Sequence, residues 1–308
     1  MSTYYSNGKL LLTGEYLVLD GALSLAIPTQ FGQSLIVEAI DEQKFIWQSF
    51  DKKGNTWFED EFLIEEIATD SLKHHNDVSN TLLKIIKAAK QLNPFFLIKN
   101  HGYKVITELD FPRDWGLGSS STLINNIANW ANIDAYKLLE LTFEGSGYDI
   151  ACSQHNCPIT YQLQNNNRLI NKVDFNPSFK EQLYFIYLNK KQNSRKGIAH
   201  YKTNTSNHSQ AILDINDITS KIIDCISLID FETLITAHEY IISKILKQKP
   251  VKERLFNDFK GSIKSLGAWG GDFVLATSKE DPKSYFAHKG FNTIINYTEM
   301  VLNKKSLT

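Results

Sequence analysis

Nine residues near the middle of the chain, Asp114 to Thr122, read DWGLGSSST and contain two glycines and three consecutive serines. They follow an alternating segment, 102–111, and precede an apolar segment with helical spacing, 121–133. A glycine-rich turn that opens a helix leaves backbone N–H groups without helical partners, and the helix dipole there favours negative charge. Gly116 and Gly118 would let this backbone approach a ligand closely. The pattern predicts a phosphate site.

The serines of this loop strengthen the prediction and also offer a simpler explanation. Their hydroxyls suit phosphate oxygens or a magnesium ion, and the residues concerned are Ser119, Ser120 and Ser121. Serine is also a common helix N-cap, so an ordinary capped turn is the alternative. The common nucleotide-binding fingerprints are absent, because the loop has neither a G-x-x-x-x-G-K-[ST] pattern nor the third glycine of the dinucleotide motif. A different kind of phosphate binder is indicated.

Composition narrows the class of protein. The 308 residues suit two domains, and 42% hydrophobic with 22% charged residues is ordinary for a globular protein. The formal net charge of -1 provides no global field for nucleic acid or an anionic membrane, so we expect a small-molecule ligand and neither nucleic acid nor membrane as partner. There is no signal-like N-terminus and no run of about 18 apolar residues. We therefore expect a cytoplasmic protein, and its oligomeric state stays open.

The elements that must position the loop follow from hydrophobic periodicity. The predicted strands are 9–20, 23–30, 33–40, 44–50, 102–111, one within 146–164, 182–189 and one near 291–297. The predicted helices are 80–91, opened by Asp77, Ser79 or Asn80, then 121–133, 134–145, a short one after 146, 211–228 and 231–246. The polar stretch 165–171 is the candidate boundary between a nucleotide-binding domain, 1–170, and a C-terminal domain, 171–308.

Three stretches resemble motifs of one enzyme family, the GHMP small-molecule kinases, in the order in which that family has them. The loop from Pro112 is similar to P-x-x-x-G-L-G-S-S-A, with Ser121 where the family usually has alanine. GKLLLTGEYLVLDGA, residues 8–22, resembles the opening G-K-[LV]-x-[IL]-x-G-E-[HY]-x-V. KSLGAWGGDFVLA, residues 264–276, resembles K-x-S-G-A-G-G-G-D. Tyr16 and the Gly-Gly-Asp at 270–272 look more like phosphomevalonate kinase than mevalonate kinase.

This resemblance implies a fold, a reaction and cofactors. The expected fold is α+β, with two domains of GHMP-kinase type, mixed or antiparallel sheets and helices. The expected reaction transfers the γ-phosphoryl group of ATP, with Mg²⁺, to a small-molecule acceptor, a reaction that depends on positioning and charge neutralisation. Phosphomevalonate is the favoured acceptor, mevalonate the next, and both serve isoprenoid-precursor synthesis.

The resemblance also assigns roles to two charged residues. Asp149 lies in SGYDIA, residues 146–151, which is similar to the family segment that carries the acidic catalytic residue, and it would orient or deprotonate the acceptor. Lys9 would stabilise the developing charge or tune Asp149. Without the resemblance, Asp149 would be a helix N-cap and Lys9 a solvated strand end.

The remaining predicted site residues are assigned by the same comparison. ATP phosphates would bind to Gly116, Leu117, Gly118, Ser119, Ser120 and Ser121. Ser120, or Ser119, would bind magnesium together with a helical glutamate, for which Glu140 and Glu144 are both candidates. Glu15 and Tyr16 would line the acceptor site, and Gly270 and Gly271 would approach it.

A basic segment, KKQNSRKG at 190–197, has four cationic residues in eight. It is predicted to be a loop, either merely solvated or able to hold an anionic acceptor through Arg195 and Lys196. Arginine is suited to bidentate phosphate contacts. A phosphorylated acceptor would need such a contact more than mevalonate would.

One departure from the family pattern bears on activity. Trp269 stands where the third motif normally has a glycine, and Leu266 stands where it has a serine. A bulky ring in this loop could close space, alter the backbone or supply a stacking surface. The alternative function is therefore a homologue that binds a nucleotide or metabolite without turnover, although the presence of Asp149 and Lys9 argues against it.

Overall fold

A computed structural model of the chain describes residues 1–68, 76–97, 101–143, 145–165, 167–203 and 207–303. The chain divides into two compact units, each assembled from several segments. Unit 1 comprises Met1–Gly8, Phe31–Arg113 and Leu117–Gln154. Unit 2 comprises Lys9–Gln30, Asp114–Gly116 and His155–Thr308.

Strands and helices alternate irregularly along the described residues. The strands are β1 (Ser2–Leu11), β2 (Ser24–Ile40), β3 (Lys44–Phe50), β4 (Thr56–Leu63), β5 (Gly102–Leu109), β6 (Ile159–Gln164), β7 (Asn167–Lys172), β8 (Leu183–Tyr187), β9 (Ile263–Ser265), β10 (Phe273–Thr277) and β11 (Ile294–Asn296). The helices are α1 (Ile64–Ala68), α2 (Asp77–Leu92), α3 (Ser119–Ala131), α4 (Ala135–Thr142), α5 (Tyr148–Ser153), α6 (Ser194–Lys202), α7 (Ser209–Ile223), α8 (Leu228–Leu246), α9 (Val251–Leu255), α10 (Lys283–His288) and α11 (Tyr297–Met300). Short 3₁₀ turns span Leu17–Asp20 and Lys180–Gln182.

Unit 1 packs helices against a mixed sheet. Within it the strand order is β4-β3-β5-β2, with β3 parallel to β5 and the other pairs antiparallel. The parallel pair requires the crossover that passes through β4 and α2. The apolar faces of α2, α3 and α4 cover the buried side of the sheet, where Phe45 and Trp47 are almost fully enclosed. Burial of these faces is the main stabilising term for helices of this length.

Unit 2 contains an antiparallel sheet with the order β11-β8-β10-β9, whose central strand β10 is buried along its whole length. The N-terminal part of β2, residues 24–26, pairs with β6, which pairs with β7. Helix α8 packs against α7 and β9. Two apolar clusters fill the interior of this unit, one around Phe256 and Phe286 and one around Leu17, Ile242 and Trp269.

The predicted α+β fold with mixed and antiparallel sheets is confirmed, with local corrections. The strand predicted over 9–20 is wrong beyond Leu11, because Gly14 and Tyr16 adopt positive φ angles of 85° and 62° and turn the chain. The two strands predicted at 23–30 and 33–40 are one strand, β2. Pro28 lies between the residues that pair with β6 and those that pair with β5, so it removes no bond from those two ladders.

Two helix starts also differ from prediction. Helix α2 is capped by Asn76, whose side chain accepts from the N–H groups of Val78 and Ser79, so none of the three predicted openers is the cap. The basic segment 190–197 is not wholly a loop, because the Asn193 side chain accepts from the Lys196 N–H and starts α6 at Ser194.

The predicted boundary near residue 170 falls in a structured part of unit 2. Residues 159–164 and 167–172 form the antiparallel pair β6 and β7, and the last passage of the chain from unit 1 to unit 2 lies between Gln154 and His155. The assignment of 1–170 and 171–308 to two functional domains stays a prediction. None of the helices in the described part of the chain is long and apolar enough to cross a bilayer.

Candidate active site

The glycine-serine loop turns into helix α3 at Ser119, as its sequence predicts. Gly116 and Gly118 have φ angles of 69° and 92°, in the left-handed region that favours glycine. Gly118 is the N-cap of α3 and carries no side chain that could accept from the first helical N–H groups. The Ser121 hydroxyl donates to the Gly118 carbonyl at 2.8 Å, whereas Ser120 is exposed. The start of α3 therefore presents donors that suit an anion.

Helix α3 is fixed within unit 1 by a network of neutral polar groups. The Ser6 hydroxyl donates to Asn126 Oδ1 at 2.7 Å, and the Asn126 amide donates to the Gln33 carbonyl at 2.9 Å. The Asn125 amide donates to the Ser6 hydroxyl at 2.8 Å, and the Thr122 hydroxyl donates to Gln33 Oε1 at 2.7 Å. Thr122, Asn125 and Asn126 lie in the first two turns of α3, and their partners Ser6 and Gln33 lie on β1 and β2. The network thus fixes the rotation of α3 and the direction of its first turn.

Asp149 lies in the first turn of α5, next to α3 in unit 1. Gly147, with φ of 89°, is the N-cap of α5, so the alternative of Asp149 as N-cap does not apply. Asp149 is half-buried, and its Oδ1 accepts from the Ile150 N–H at 3.2 Å. Helix α5 packs against α3, and at its end Gln154 Nε2 donates to Asn125 Oδ1 at 2.9 Å. The loop helix and the helix of Asp149 are therefore held together.

The two candidate magnesium glutamates have different outcomes. Glu140 is exposed on α4, and Glu144 lies outside the described residues. In the described ranges, no group of three or more histidine, cysteine, aspartate or glutamate side chains is close enough together to hold a metal ion. The choice between these glutamates stays a prediction.

Lys9 lies near the end of β1, in unit 2, and contacts the first glycine of the loop, Gly116. Its Nζ donates to the Gly116 carbonyl at 3.4 Å. The Asp272 carboxylate also packs against Gly116: a Cβ on Gly116 would be 2.5 Å from Asp272 Oδ2. Burial raises the pKa of Asp272, while the Gln192 N–H and the Lys9 charge lower it in part. A perturbed carboxylate beside a lysine is typical of functional sites.

Asp272 is part of the third motif, and no role was predicted for it from the sequence. The residue has a φ of 51°, is only 7% exposed, and accepts from the Gln192 N–H at 3.0 Å. Its backbone is held on both sides, since its N–H donates to the Lys190 carbonyl and its own carbonyl accepts from Leu188. The signal that was available is the acidic residue directly after two glycines.

Gly270 and Gly271 allow the segment that precedes α6 to pack closely. A Cβ on Gly271 would be 2.6 Å from the Lys190 carbonyl oxygen, and a Cβ on Gly270 would be 3.1 Å from Gln192 Nε2. Gly270 also has a φ of 89°. These contacts explain the two glycines without a ligand, and their role in binding the acceptor stays a prediction.

Glu15 has a protein partner in the interior of unit 2. Its side chain is fully buried and forms an ion pair with Lys264, which links the first motif to the third. Lys264 Nζ also donates to the Ser265 carbonyl at 2.9 Å. Burial raises the pKa of Glu15 to about 7, although the Lys264 ammonium lowers it. An acceptor-binding role for Glu15 stays a prediction, and the pairing favours a structural role.

Two more titratable groups complete this buried cluster. Burial lowers the pKa of His238 well below its usual value, so the ring is neutral at pH 7, and its Nε2 accepts from the Gly14 N–H at 2.9 Å. The 3.2 Å approach of Glu15 Oε2 to this nitrogen is therefore not a salt bridge. Burial raises the pKa of Glu239, which accepts from the Ser265 N–H and hydroxyl.

Tyr16 and Trp269 contact each other in unit 2. The backbone N–H of Trp269 donates to the Tyr16 hydroxyl oxygen at 3.3 Å. The Trp269 side chain is 6% exposed and packs with Leu17, Ile242 and Leu246. The ring that replaces a glycine of the third motif is thus part of the apolar interior.

Arg195 and Lys196 are exposed in the first turn of α6. Cations at a helix N-terminus oppose the helix dipole, so their position is not explained by the stability of α6. Contact with an anionic ligand stays a prediction for both.

Comparisons with known proteins identify the fold. No protein-family model matches the chain, and no curated protein matches it. Mevalonate kinase of Methanococcus jannaschii is similar, with a TM-score of 0.74, 17% identity, and coverage of 98% of each chain.

Two further solved structures are similar over nearly the whole chain. Phosphomevalonate kinase of Streptococcus pneumoniae, in complex with phosphomevalonate and AMPPNP, has a TM-score of 0.71, 15% identity, and coverage of 96% of this chain and 100% of that one. Galactokinase of Lactococcus lactis, complexed with galactose, has a TM-score of 0.68, 13% identity, and coverage of 98% and 93%. The chain therefore has the fold that is shared by these three kinases of the GHMP superfamily.

Proposed function

We propose that this protein is an ATP-dependent small-molecule kinase that phosphorylates phosphomevalonate. One observation carries the proposal: a fold shared with three kinases presents an uncapped, glycine-bordered helix N-terminus, and the helix that bears Asp149 packs against it. The glycine-serine loop motif supplies the helix N-terminus, and the segment SGYDIA, residues 146–151, supplies Asp149. Phosphoryl transfer needs positioning and charge stabilisation more than covalent chemistry, and these groups can provide both.

The first turn of α3 would hold the phosphates of ATP. Gly118 leaves its N–H groups without a side-chain acceptor, and the exposed Ser120 hydroxyl is available to a ligand. Mg²⁺ usually binds through one or two carboxylates, water and substrate phosphates, so Ser120 and the exposed Glu140 have suitable chemistry for it. When bound, MgATP supplies the transferable phosphoryl group and neutralises charge that develops on it.

Asp149 would act on the acceptor. Its half-buried carboxylate is held by the first turn of α5, so it can accept a proton from the attacking group or fix that group by a hydrogen bond. The Lys9 ammonium group donates a hydrogen bond to the Gly116 carbonyl. It would stabilise negative charge that builds up during transfer. Asp272, which also lies against Gly116 and senses the Lys9 charge, would help to keep that ammonium in place.

A phosphorylated acceptor is favoured over mevalonate by the cations before and at the start of α6. Lys190, Lys191, Arg195 and Lys196 are all exposed. Arg195 and Lys196 lie where they disfavour the helix dipole, and an anionic ligand would offset that cost. Mevalonate remains the next candidate, because mevalonate kinases are among the similar structures.

A homologue without turnover was suggested by Trp269. Its burial among apolar side chains of unit 2 weakens that reason, because the ring occupies the interior. Catalysis is therefore the better proposal.

The test is ADP release from MgATP by the purified protein with phosphomevalonate, mevalonate and galactose offered separately. We expect turnover with phosphomevalonate and loss of about 10²-fold or more in kcat for Asp149→Asn, which keeps the shape of the side chain but not its basicity. Asp77→Asn is the matched control, since Asp77 is an exposed aspartate in the first turn of α2 and should be replaceable without loss.

The outcomes separate the alternatives. Turnover with mevalonate alone would reassign the acceptor and keep the reaction. ATP binding without turnover of any acceptor would contradict the proposal and favour the homologue that only binds. An Asp149→Asn variant as active as Asp77→Asn would remove Asp149 from the mechanism.

A further inference from the structure

Helix α6, which carries Arg195 and Lys196, makes one unusually close contact with the rest of unit 2. A Cβ on Gly197 would lie 2.6 Å from the Tyr16 hydroxyl oxygen and 3.3 Å and 3.4 Å from its Cε1 and Cζ. Gly197 is inside the helix, where glycine is a poor helix former and alanine the best. The absence of a side chain is therefore explained by contact with Tyr16 and not by helix stability.

A second contact lies one helical turn further along the same face of α6. The Tyr201 ring stacks on the Tyr16 ring, with centroids 5.6 Å apart and an interplanar angle of 28°. The Tyr201 hydroxyl donates to the Asp20 carboxylate. Residues four apart share one helix face, so Gly197 and Tyr201 together bring α6 against a single tyrosine.

Tyr16 is itself held in an uncommon conformation. Its φ of 62° is rare for a residue with a side chain, and such strain persists where the surroundings impose it. Its hydroxyl oxygen accepts from the Trp269 N–H at 3.3 Å, and its neighbour Glu15 is tied to Lys264. The buried Trp269 ring packs in the same apolar cluster as Tyr201. The backbone of the third motif thus fixes the hydroxyl that α6 contacts.

We propose that Tyr16, Gly197, Tyr201 and Trp269, here called the α6 lock, hold α6 in the position in which Arg195 and Lys196 meet the anionic group of the acceptor. The two cations directly precede Gly197 in the chain, so a shift of Gly197 moves both of them. In this proposal Tyr16 acts as a positioning residue through α6, and the direct contact with the acceptor that the sequence predicts for it stays a prediction. This inference rests on the proposed function, because it gives the lock the task of selecting a phosphate-bearing acceptor.

The test uses Gly197→Ala, Tyr16→Phe and the double variant in the 308-residue chain. Helix propensity alone predicts slower amide exchange in residues 194–202 of Gly197→Ala, because alanine favours the helix. The α6 lock predicts the opposite: faster exchange, and an increase of about tenfold in KM for phosphomevalonate with little change in KM for ATP.

Rescue provides the decisive comparison. Tyr16→Phe removes the atom 2.6 Å from the new methyl group and leaves carbons at 3.3 Å and 3.4 Å, which need to move by only a few tenths of an ångström. The double variant should therefore recover slow exchange and return KM for phosphomevalonate to within about threefold of wild type. Tyr16→Phe alone loses only the bond from Trp269 and should change KM less than Gly197→Ala does.

Ala199→Gly is the matched control, because Ala199 is exposed on α6 and the change weakens the helix without touching Tyr16. Its faster exchange should not be rescued by Tyr16→Phe. Slower exchange in Gly197→Ala with an unchanged KM would overturn the lock. Rescued exchange without any effect on KM would overturn its task in acceptor binding. Wild-type protein inactive on phosphomevalonate would overturn the proposed function, and the exchange measurements would still decide whether Gly197 docks on Tyr16.

Discussion

The two units hold their motif residues in place with buried polar groups of opposite kinds. In unit 1, α3 is fixed by amides and hydroxyls, among them Asn125 and Asn126, which form a continuous chain of hydrogen bonds. In unit 2, the turn at Gly14 is fixed by ionisable groups, among them Glu15 and Lys264. The first set fixes the first two turns of α3, and the second set joins the first motif to the third. The two units therefore meet one requirement, a fixed backbone, by different physical means.

The neutral network is independent of pH. Its members carry no charge at any pH at which the protein is folded, and each buried amide has a partner of the right kind. Networks that are fully satisfied give a unique arrangement at little cost. The first turn of α3, which is the predicted phosphate site, should therefore keep its geometry across a wide range of pH.

The charged cluster makes the stability of unit 2 depend on pH. Burial raises the pKa of Glu15 from its ordinary value of 4.5 to about 7. A carboxyl group whose pKa is raised on folding contributes stability that is fully present below pH 4.5 and is lost as the pH rises through 7. Burial also raises the pKa of Glu239, which adds a loss of the same sign. The ion pair with Lys264 limits this loss and does not abolish it.

The largest expected effect comes from breaking that pair with Lys264→Met. The variant leaves the Glu15 carboxylate buried without its counter-charge, which typically costs about 3–5 kcal/mol. The loss should be larger at pH 8 than at pH 5, because Glu15 takes up a proton at low pH and the neutral carboxyl group needs no cation. Urea unfolding at the two pH values measures the difference.

The matched control is Lys221→Met, since Lys221 pairs with Asp217 on the exposed face of α7. Exposed pairs contribute little to stability, so this variant should unfold like wild type at both pH values. If Lys264→Met and Lys221→Met were equally stable at pH 8, the buried cluster would not have the role assigned to it.

The next largest effect is expected from Asn126→Ala in the neutral network. The change leaves the Ser6 hydroxyl and the Gln33 carbonyl without their partner, and each unsatisfied buried group is costly, so we expect a loss of about 2–3 kcal/mol. The loss should be the same at pH 5 and pH 8, in contrast to Lys264→Met. Asn129→Ala, on the exposed side of the same helix, is the control and should be neutral or slightly stabilising. A loss that changed with pH would contradict the contrast between the units.

Much of the fold could be predicted from the sequence because its signals are local. Helical spacing predicted α2, α3, α4 and α8, and the glycines at 116 and 118 predicted the turn that opens α3. The motifs also predicted which fold to expect, and the similar solved structures confirm it. These features depend on residues that are close together in the chain.

Features that depend on distant partners were missed. Nothing near Glu15 in the sequence indicates that it pairs with Lys264, about 250 residues later, and an isolated strand glutamate is usually exposed. Asp272 was overlooked because its significance comes from Gly116, which lies far away in the sequence. The helical start of α6 was missed because an Asn cap in a basic segment is a weak signal. Roles can therefore be assigned to these residues only when the fold is known as well as the motifs.

The smallest expected loss of stability comes from a change in the first turn of α3. Thr122→Val removes the hydroxyl that donates to Gln33 Oε1 and keeps the shape of the side chain. The loss of one neutral hydrogen bond should cost about 1 kcal/mol at pH 5 and at pH 8 alike. Thr142→Val is the control, because the Thr142 hydroxyl donates only to carbonyls of its own helix, α4. Under the proposed function, in which the first turn of α3 holds the phosphates of ATP, Thr122→Val should also raise KM for ATP while Thr142→Val does not. Equal behaviour of the two valine variants would mean that the bond from Thr122 to Gln33 does not help to hold α3.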